Sequence, residues 1–103
     1  MSGAARLGDW GGEHDLCRPV QIISGSNTVF VDGKPAARVG DVLEEHDCFE
    51  SVEHHPSHIP TIVTGSNTVF VDGRPAAKVG SKTSCLSYLQ SEITTGSNTV
   101  FYS

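Results

Sequence analysis

An all-β, pseudo-threefold prism is the fold this sequence predicts. Three observations carry that prediction: a near-perfect internal duplication, two complementary half-copies at the chain ends, and Asp-Gly pairs placed directly after β-branched and aromatic runs. Repeats decide architecture before any local feature does, because a repeated unit buries its apolar face only against its neighbours.

The first element is the back half of a unit, Gly3-Ala4-Ala5-Arg6-Leu7-Gly8-Asp9. A complete unit follows at residues 25–40, Gly-Ser-Asn-Thr-Val-Phe-Val-Asp-Gly-Lys-Pro-Ala-Ala-Arg-Val-Gly. Residues 65–80 repeat it 40 positions later, changing only Lys34 to Arg74 and Arg38 to Lys78. The last element, Gly96-Ser97-Asn98-Thr99-Val100-Phe101, is a front half. Two whole units and two complementary halves make three if the terminal segments pair with each other. The chain of 103 residues is then one domain.

Each unit reads as a hairpin. Asn-Thr-Val-Phe-Val suits a pleated surface. Asp32-Gly33 and Asp72-Gly73 suit a tight turn, because Gly tolerates positive φ. Pro35 and Pro75 lack a ladder donor, so the returning strand begins at an edge or at a non-bonded position. No segment sustains a helical period; the nearest, residues 85–92, is short.

Composition sets the stability problem. Hydrophobic residues make up 37% of the chain, with four Phe, two Tyr and one Trp, against 11 Gly and five Pro. Such a sparse core calls for a staple. Three cysteines, Cys17, Cys48 and Cys85, cannot all pair within one chain, which makes metal ligation the leading use for at least one beside five histidines. A net charge of −5 excludes nucleic acid as the main partner. No stretch approaches the ~20 apolar residues of a membrane helix. The N-terminus lacks the apolar core of a signal peptide, so the expected place of synthesis is the cytoplasm, with any export using another route.

All five His and all three Cys lie in the links between the repeated halves. From the second Ala of each pair to the next Gly-Ser-Asn, the spacings are 20, 28 and 19 residues, so the second link is the long one. In a threefold object equivalent links rise on one side, which concentrates this chemistry at one end. His14 and His46 stand six residues after Gly8 and Gly40, and Cys85 stands five after Gly80. The offset is small, because Zn–S and Zn–N bonds differ by only ~0.2–0.3 Å and loops adjust. A closed structural zinc site needs a fourth ligand, and the long link offers His54, His55 and His58. His58 is preferred because the apolar return Ile59-Pro60-Thr61-Ile62-Val63 anchors it. Cys17 and Cys48 are rival ligands, small buried residues or a disulfide pair. The triplets Glu13-His14-Asp15 and Glu45-His46-Asp47 offer carboxylates to orient the imidazoles.

Pro35-Ala36-Ala37-Arg38 is letter for letter the motif that names the PAAR-repeat proteins, and Pro75-Ala76-Ala77-Lys78 and Gly3-Ala4-Ala5-Arg6 look like its degenerate copies. The Gly-Ser-Asn-Thr-Val-Phe segments resemble the family's strand, so the resemblance covers nearly the whole chain. It implies a cone-like β structure with a triangular base and a sharp apex, and a structural zinc near the apex held by three His and one Cys. By position these are His14, His46, His58 and Cys85, with His54 and His55 as alternatives to His58. It also implies a metal-stabilised tip on a trimeric β-helical spike, such as a valine-glycine-repeat (VgrG-like) or phage spike, in a type VI secretion system or contractile phage tail.

On that resemblance the chain is a non-enzymatic tip that aids membrane piercing, with one chain per spike trimer, transient contact with the target membrane and delivery outward from the tip of the apparatus or virion tail. The short flanks suggest a bare tip without a fused effector. Phe30, Phe70, Phe101, Val29, Val69 and Val100 supply apolar surface for the core and for docking on the spike, with most of them expected in the core. One alternative is a zinc-stabilised adaptor that recruits effectors to the spike. The other is a small zinc hydrolase, which would need an open coordination position and a base such as Glu13 or Glu45; four ligands and no His-Glu-x-x-His arrangement weigh against it.

Overall fold

A computed structural model describes residues 1–13, 18–45, 59–85 and 89–103, with the backbone alone at 85 and 89. Among these residues every regular element is a strand: β1 Ser2–Gly3, β2 Trp10–Gly11, β3 Val20–Gln21, β4 Phe30–Val31, β5 Lys34–Pro35, β6 Thr61–Ile62, β7 Phe70–Val71, β8 Arg74–Pro75, β9 Lys82–Cys85, β10 Leu89–Glu92 and β11 Phe101–Tyr102. The principal extents, 41 × 23 × 22 Å, give one long axis and two matched short ones.

The repeated halves form two hairpins and one pairing of the chain ends, all at one end. β4 pairs with β5, and β7 with β8, across two-residue turns. Asp32 and Gly33 both hold positive φ (53° and 79°), as do Asp72 and Gly73 (55° and 78°). That is the turn whose twist matches flanking strands, and it explains the Asp-Gly pairs. Val31 and Lys34 flank the turn, so Phe30 and Pro35 form the next, non-bonded pair. The proline's missing donor therefore costs nothing there, and the ladder resumes where the Ala36 N–H donates to the Val29 oxygen at 2.9 Å.

The third unit is assembled from both chain ends. β1 pairs with β11, placing Ser2 opposite Tyr102 and Gly3 opposite Phe101, the same register as the two hairpins. The Ala4 N–H donates to Val100 as Ala36 does to Val29 and Ala76 to Val69.

The Ala-Ala pairs close the molecule around its axis. The Ala5 N–H donates to Ala77, Ala77 to Ala37, and Ala37 back to Ala5, at 2.9–3.0 Å. All six alanines are fully buried. A larger side chain at any of them would hold three backbones apart where they must meet within hydrogen-bond distance. The ring also separates two cores. Below it lie Ala4, Ala36, Ala76, Val31, Val71 and Tyr102, flanked by Val69 and Val100. Above it lie Ala5, Ala37, Ala77, Val20, Ile22, Leu43, Ile62 and Ile93.

The upper core sits inside a closed antiparallel ring built by the links. β2 pairs with β3, Ile22 bridges to Leu43, Val42 to Thr61, β6 pairs with β9, β9 with β10, and Ile93 bridges back to Gly11. Closure removes every free strand edge from this ring. β9 and β10 pair antiparallel over four residues each, and Thr83 and Ser84 of β9 also pair with β6. Ile22, Ile62 and Ile93 occupy one layer, each bonded to the start of its own link through the oxygens of Asp9, Asp41 and Ser81. Each contributes roughly 1.5–3 kcal/mol by burial.

Candidate functional site

Two ends of the molecule carry candidate chemistry. Ascending strands start at Asp9, Asp41 and Ser81 with identical backbone pairing. Four residues on along these strands stand Glu13, Glu45 and Cys85. The return strands among the described residues are β3, β6 and β10. The sequence-predicted ligands His14, His46 and His58, the alternatives His54 and His55, and Cys17 and Cys48 lie outside the described residues. Cys85 is the last residue of β9, opposite Leu89. Among the described residues no three His, Cys, Asp or Glu side chains group to hold a metal.

The described flanks do show firm mounts for these segments. The Ser91 hydroxyl donates to the Glu13 carbonyl, and the Leu43 N–H donates to Pro60 at 2.9 Å, tying the return strand two residues after His58. Three imidazoles and one thiolate are a donor set that completes a tetrahedral zinc shell. Beneath the pole, the fully buried Thr83 hydroxyl has no hydrogen-bond partner. An orphaned hydroxyl in that layer fits a pole that receives a further polar group.

At the other end the three equivalent phenylalanines point outward. Phe30, Phe70 and Phe101 are 55%, 57% and 46% exposed, and Val29 is also exposed. Val69 and Val100 are half-buried against the lower core. Only these two of the six apolar residues are packed, so the expectation that most lie in the core is not met. Their neighbours Val31, Val71 and Tyr102 fill the lower core instead, because successive strand residues face opposite ways.

Charged corners brace the hairpin end. The Arg6 guanidinium donates to Asp9 at 2.9 and 3.1 Å and to Asp32 of the next unit at 2.8 Å. Arg38 repeats this with Asp41 at 2.9 and 3.0 Å and Asp72 at 2.7 Å. Burial pushes the Asp9 and Asp41 carboxyls up, but hydrogen bonds from the arginine side chains, from Thr95 and Ser24, and from the arginine backbones outweigh it and hold both below the usual range. Asp32 is lowered chiefly by the Ser97 and Thr99 hydroxyls, and Asp72 by Ser26 and Thr28.

A family model for the PAAR motif matches residues 3–48 and 52–103. The chain belongs to the PAAR-motif family. A comparison with curated proteins returns no match. The PAAR family is a structural one, associated with the spike-tip proteins of contractile injection systems.

The geometry gives each letter of the PAAR motif a job. The Pro35 and Pro75 carbonyls accept the Leu7 and Val39 N–H groups of neighbouring units, with Gly3 serving Val79. The first alanine continues the strand pairing of its own unit, the second forms the axial ring, and the arginine ties its unit to the next. Sequence reasoning missed these PAAR-motif corners. Their signal was present as Arg-x-x-Asp at residues 6–9 and 38–41, becoming Lys-x-x-Ser at 78–81.

Proposed function

We propose that this PAAR-motif chain caps the threefold end of a trimeric β-helical spike in a contractile injection machine, one chain per trimer, as a non-enzymatic tip. The observation that carries this reading is the set of equivalent, exposed phenylalanines Phe30, Phe70 and Phe101 around the closed base. A single chain with three matched apolar contacts suits a partner with three identical subunits. Aromatic side chains on such a surface are the usual anchors of an interface.

At the opposite pole, His14, His46, His58 (or His54 or His55) and Cys85 would hold one structural zinc. Bound there, the ion would cross-link three links that a sparse core cannot order alone, and it would add binding free energy to the folded state. Four protein ligands leave no open position for a reacting water. A stiffened pole then faces outward, contacts the target membrane transiently and is delivered with the spike.

Mixing the protein with a trimeric spike and weighing the complex by light scattering tests the docking reading. One chain per trimer is expected, with binding lost on replacing all three phenylalanines by Asp. Three chains per trimer, or unchanged binding by the triple variant, refutes it.

A further inference from the structure

An Asp-Gly bond carries its own electrophile and nucleophile: the side-chain carboxyl, and the nitrogen of a residue with no Cβ to shield it. This chain places two such bonds at exposed hairpin turns, Asp32-Gly33 and Asp72-Gly73. The space beside both glycines is open, since an added Cβ would meet nothing within 4 Å. Among the described residues neither glycine N–H donates a hydrogen bond.

The carboxyls, by contrast, are tied down. Asp32 accepts from the Ser97 and Thr99 hydroxyls at 2.6 Å each and from the Arg6 guanidinium at 2.8 Å, all in the unit made by the chain ends. Asp72 accepts from Thr28 and from the Arg38 guanidinium at 2.7 Å each, and from Ser26, all in the unit at residues 25–40. The hydroxyls first, and the arginines after them, hold both carboxyls below the usual range and so ionised. An ionised carboxylate is a poor electrophile, and one bonded on both oxygens must break those bonds before it can turn to its own backbone.

We propose that Asp32 and Asp72 are self-modification sites for isoaspartate formation, kept closed by hydroxyl and guanidinium donors of the adjoining unit. In the open reaction the Gly33 nitrogen bonds to the Asp32 Cγ, and the hydroxyl of the protonated carboxyl leaves with the amide proton as water. Hydrolysis of the succinimide returns that water. It breaks the bond from nitrogen to Cγ, restoring aspartate, or the bond from nitrogen to the α-carbonyl carbon, leaving isoaspartate. The product adds a backbone carbon to a two-residue turn and carries the free carboxylate away from Arg6, so the joint between units opens. Asp72-Gly73 follows the same course beside Arg38.

The test incubates wild type, Thr99→Val and Thr28→Val at neutral pH and body temperature, and locates isoaspartate by peptide mass spectrometry. Circular dichroism checks that each variant is folded, and wild type unfolded in urea gives the unprotected rate. Folded wild type is expected to convert far more slowly than the unfolded chain at both sites. In Thr99→Val, Asp32 is expected to convert roughly tenfold faster than Asp72 of the same chain, the effect of one lost charge-assisted hydrogen bond. Thr28→Val is expected to reverse that order. Both sites lie in one molecule, so general loosening accelerates them together and the order does not change. Equal rates at the two sites in both variants overturn the proposal, as does folded wild type that converts as fast as the unfolded chain.

Discussion

Where the first two unit boundaries meet, an arginine reaches two carboxylates; where the third boundary meets, the same places hold Lys78, Ser81 and Ser103. Arg6 and Arg38 each fork between an aspartate of their own unit and one of the next, at 2.7–2.9 Å. At the third corner the Lys78 N–H still finds Ser81. The Ser66 hydroxyl donates to the Ser103 carbonyl, and Thr68 bonds the Ser103 hydroxyl. The hydrogen-bond pattern survives with hydroxyls in place of the two aspartate carboxylates. An ammonium cannot span two acceptors as a planar fork does, so losing the arginine and losing both carboxylates are one change. The comparison teaches that the threefold frame is held by backbone closure, and that charge reinforces two of its three joints.

The largest effect expected bears on the pole and leaves this comparison standing. Stripping zinc with a chelator should lower the melting temperature by more than ten degrees, since structural zinc supplies folding energy outright and ~1 kcal/mol moves a domain of this size by roughly 4–8 °C. Unchanged melting after verified metal removal would exclude a pinning role.

Next in size, Asp41→Ala should cost about 2–3 kcal/mol in urea unfolding. Asp41 is 4% exposed and holds charge-assisted bonds, and removing it leaves Arg38 short of a partner. Ser81→Ala at the third corner should cost about 1 kcal/mol. Equal losses would show that charge adds nothing to the joints.

Acid sharpens the same contrast in metal-free protein. The folded-state values of Asp9 and Asp41 lie below the ordinary 3.8. Their contribution is therefore fully present above about pH 4 and is lost as pH falls through the depressed values. Urea midpoints should drop below pH 4 in the wild type and drop less steeply in Asp41→Asn. A parallel fall in both would break the assignment.

The smallest effect is a repair. The double change Lys78→Arg and Ser81→Asp should stabilise by about 0.5–1 kcal/mol, a gain that fades in high salt. No gain would mean that the third corner lacks the geometry, and not merely the residues, for a fork.

Much of this was legible in residue order. The register of residues 25–40 against 65–80 led to the hairpins, and Gly3-Ala4-Ala5 with Val100-Phe101 led to the pairing of the chain ends. The start of each link was legible as well, since Gly8, Gly40 and Gly80 precede the equivalently paired Asp9, Asp41 and Ser81; the histidines counted from them lie outside the described residues. The facing of Phe30 and Val31 was not. Alternation says that they oppose each other, but either sign of the alternation satisfies the sequence, and large aromatics are ordinarily expected inside. The orphaned Thr83 was equally invisible, because a threonine in a strand is unremarkable until its surroundings are known.

By itself the sequence determined the tripling, the turn chemistry and the meeting of the termini, because duplication and Asp-Gly pairs act locally along the chain. Only the tertiary structure decided which apolar residues face out, how three Ala-Ala backbones bond into a ring, and which carboxylate each arginine reaches. Those choices depend on distances between segments tens of residues apart, and no local preference encodes them.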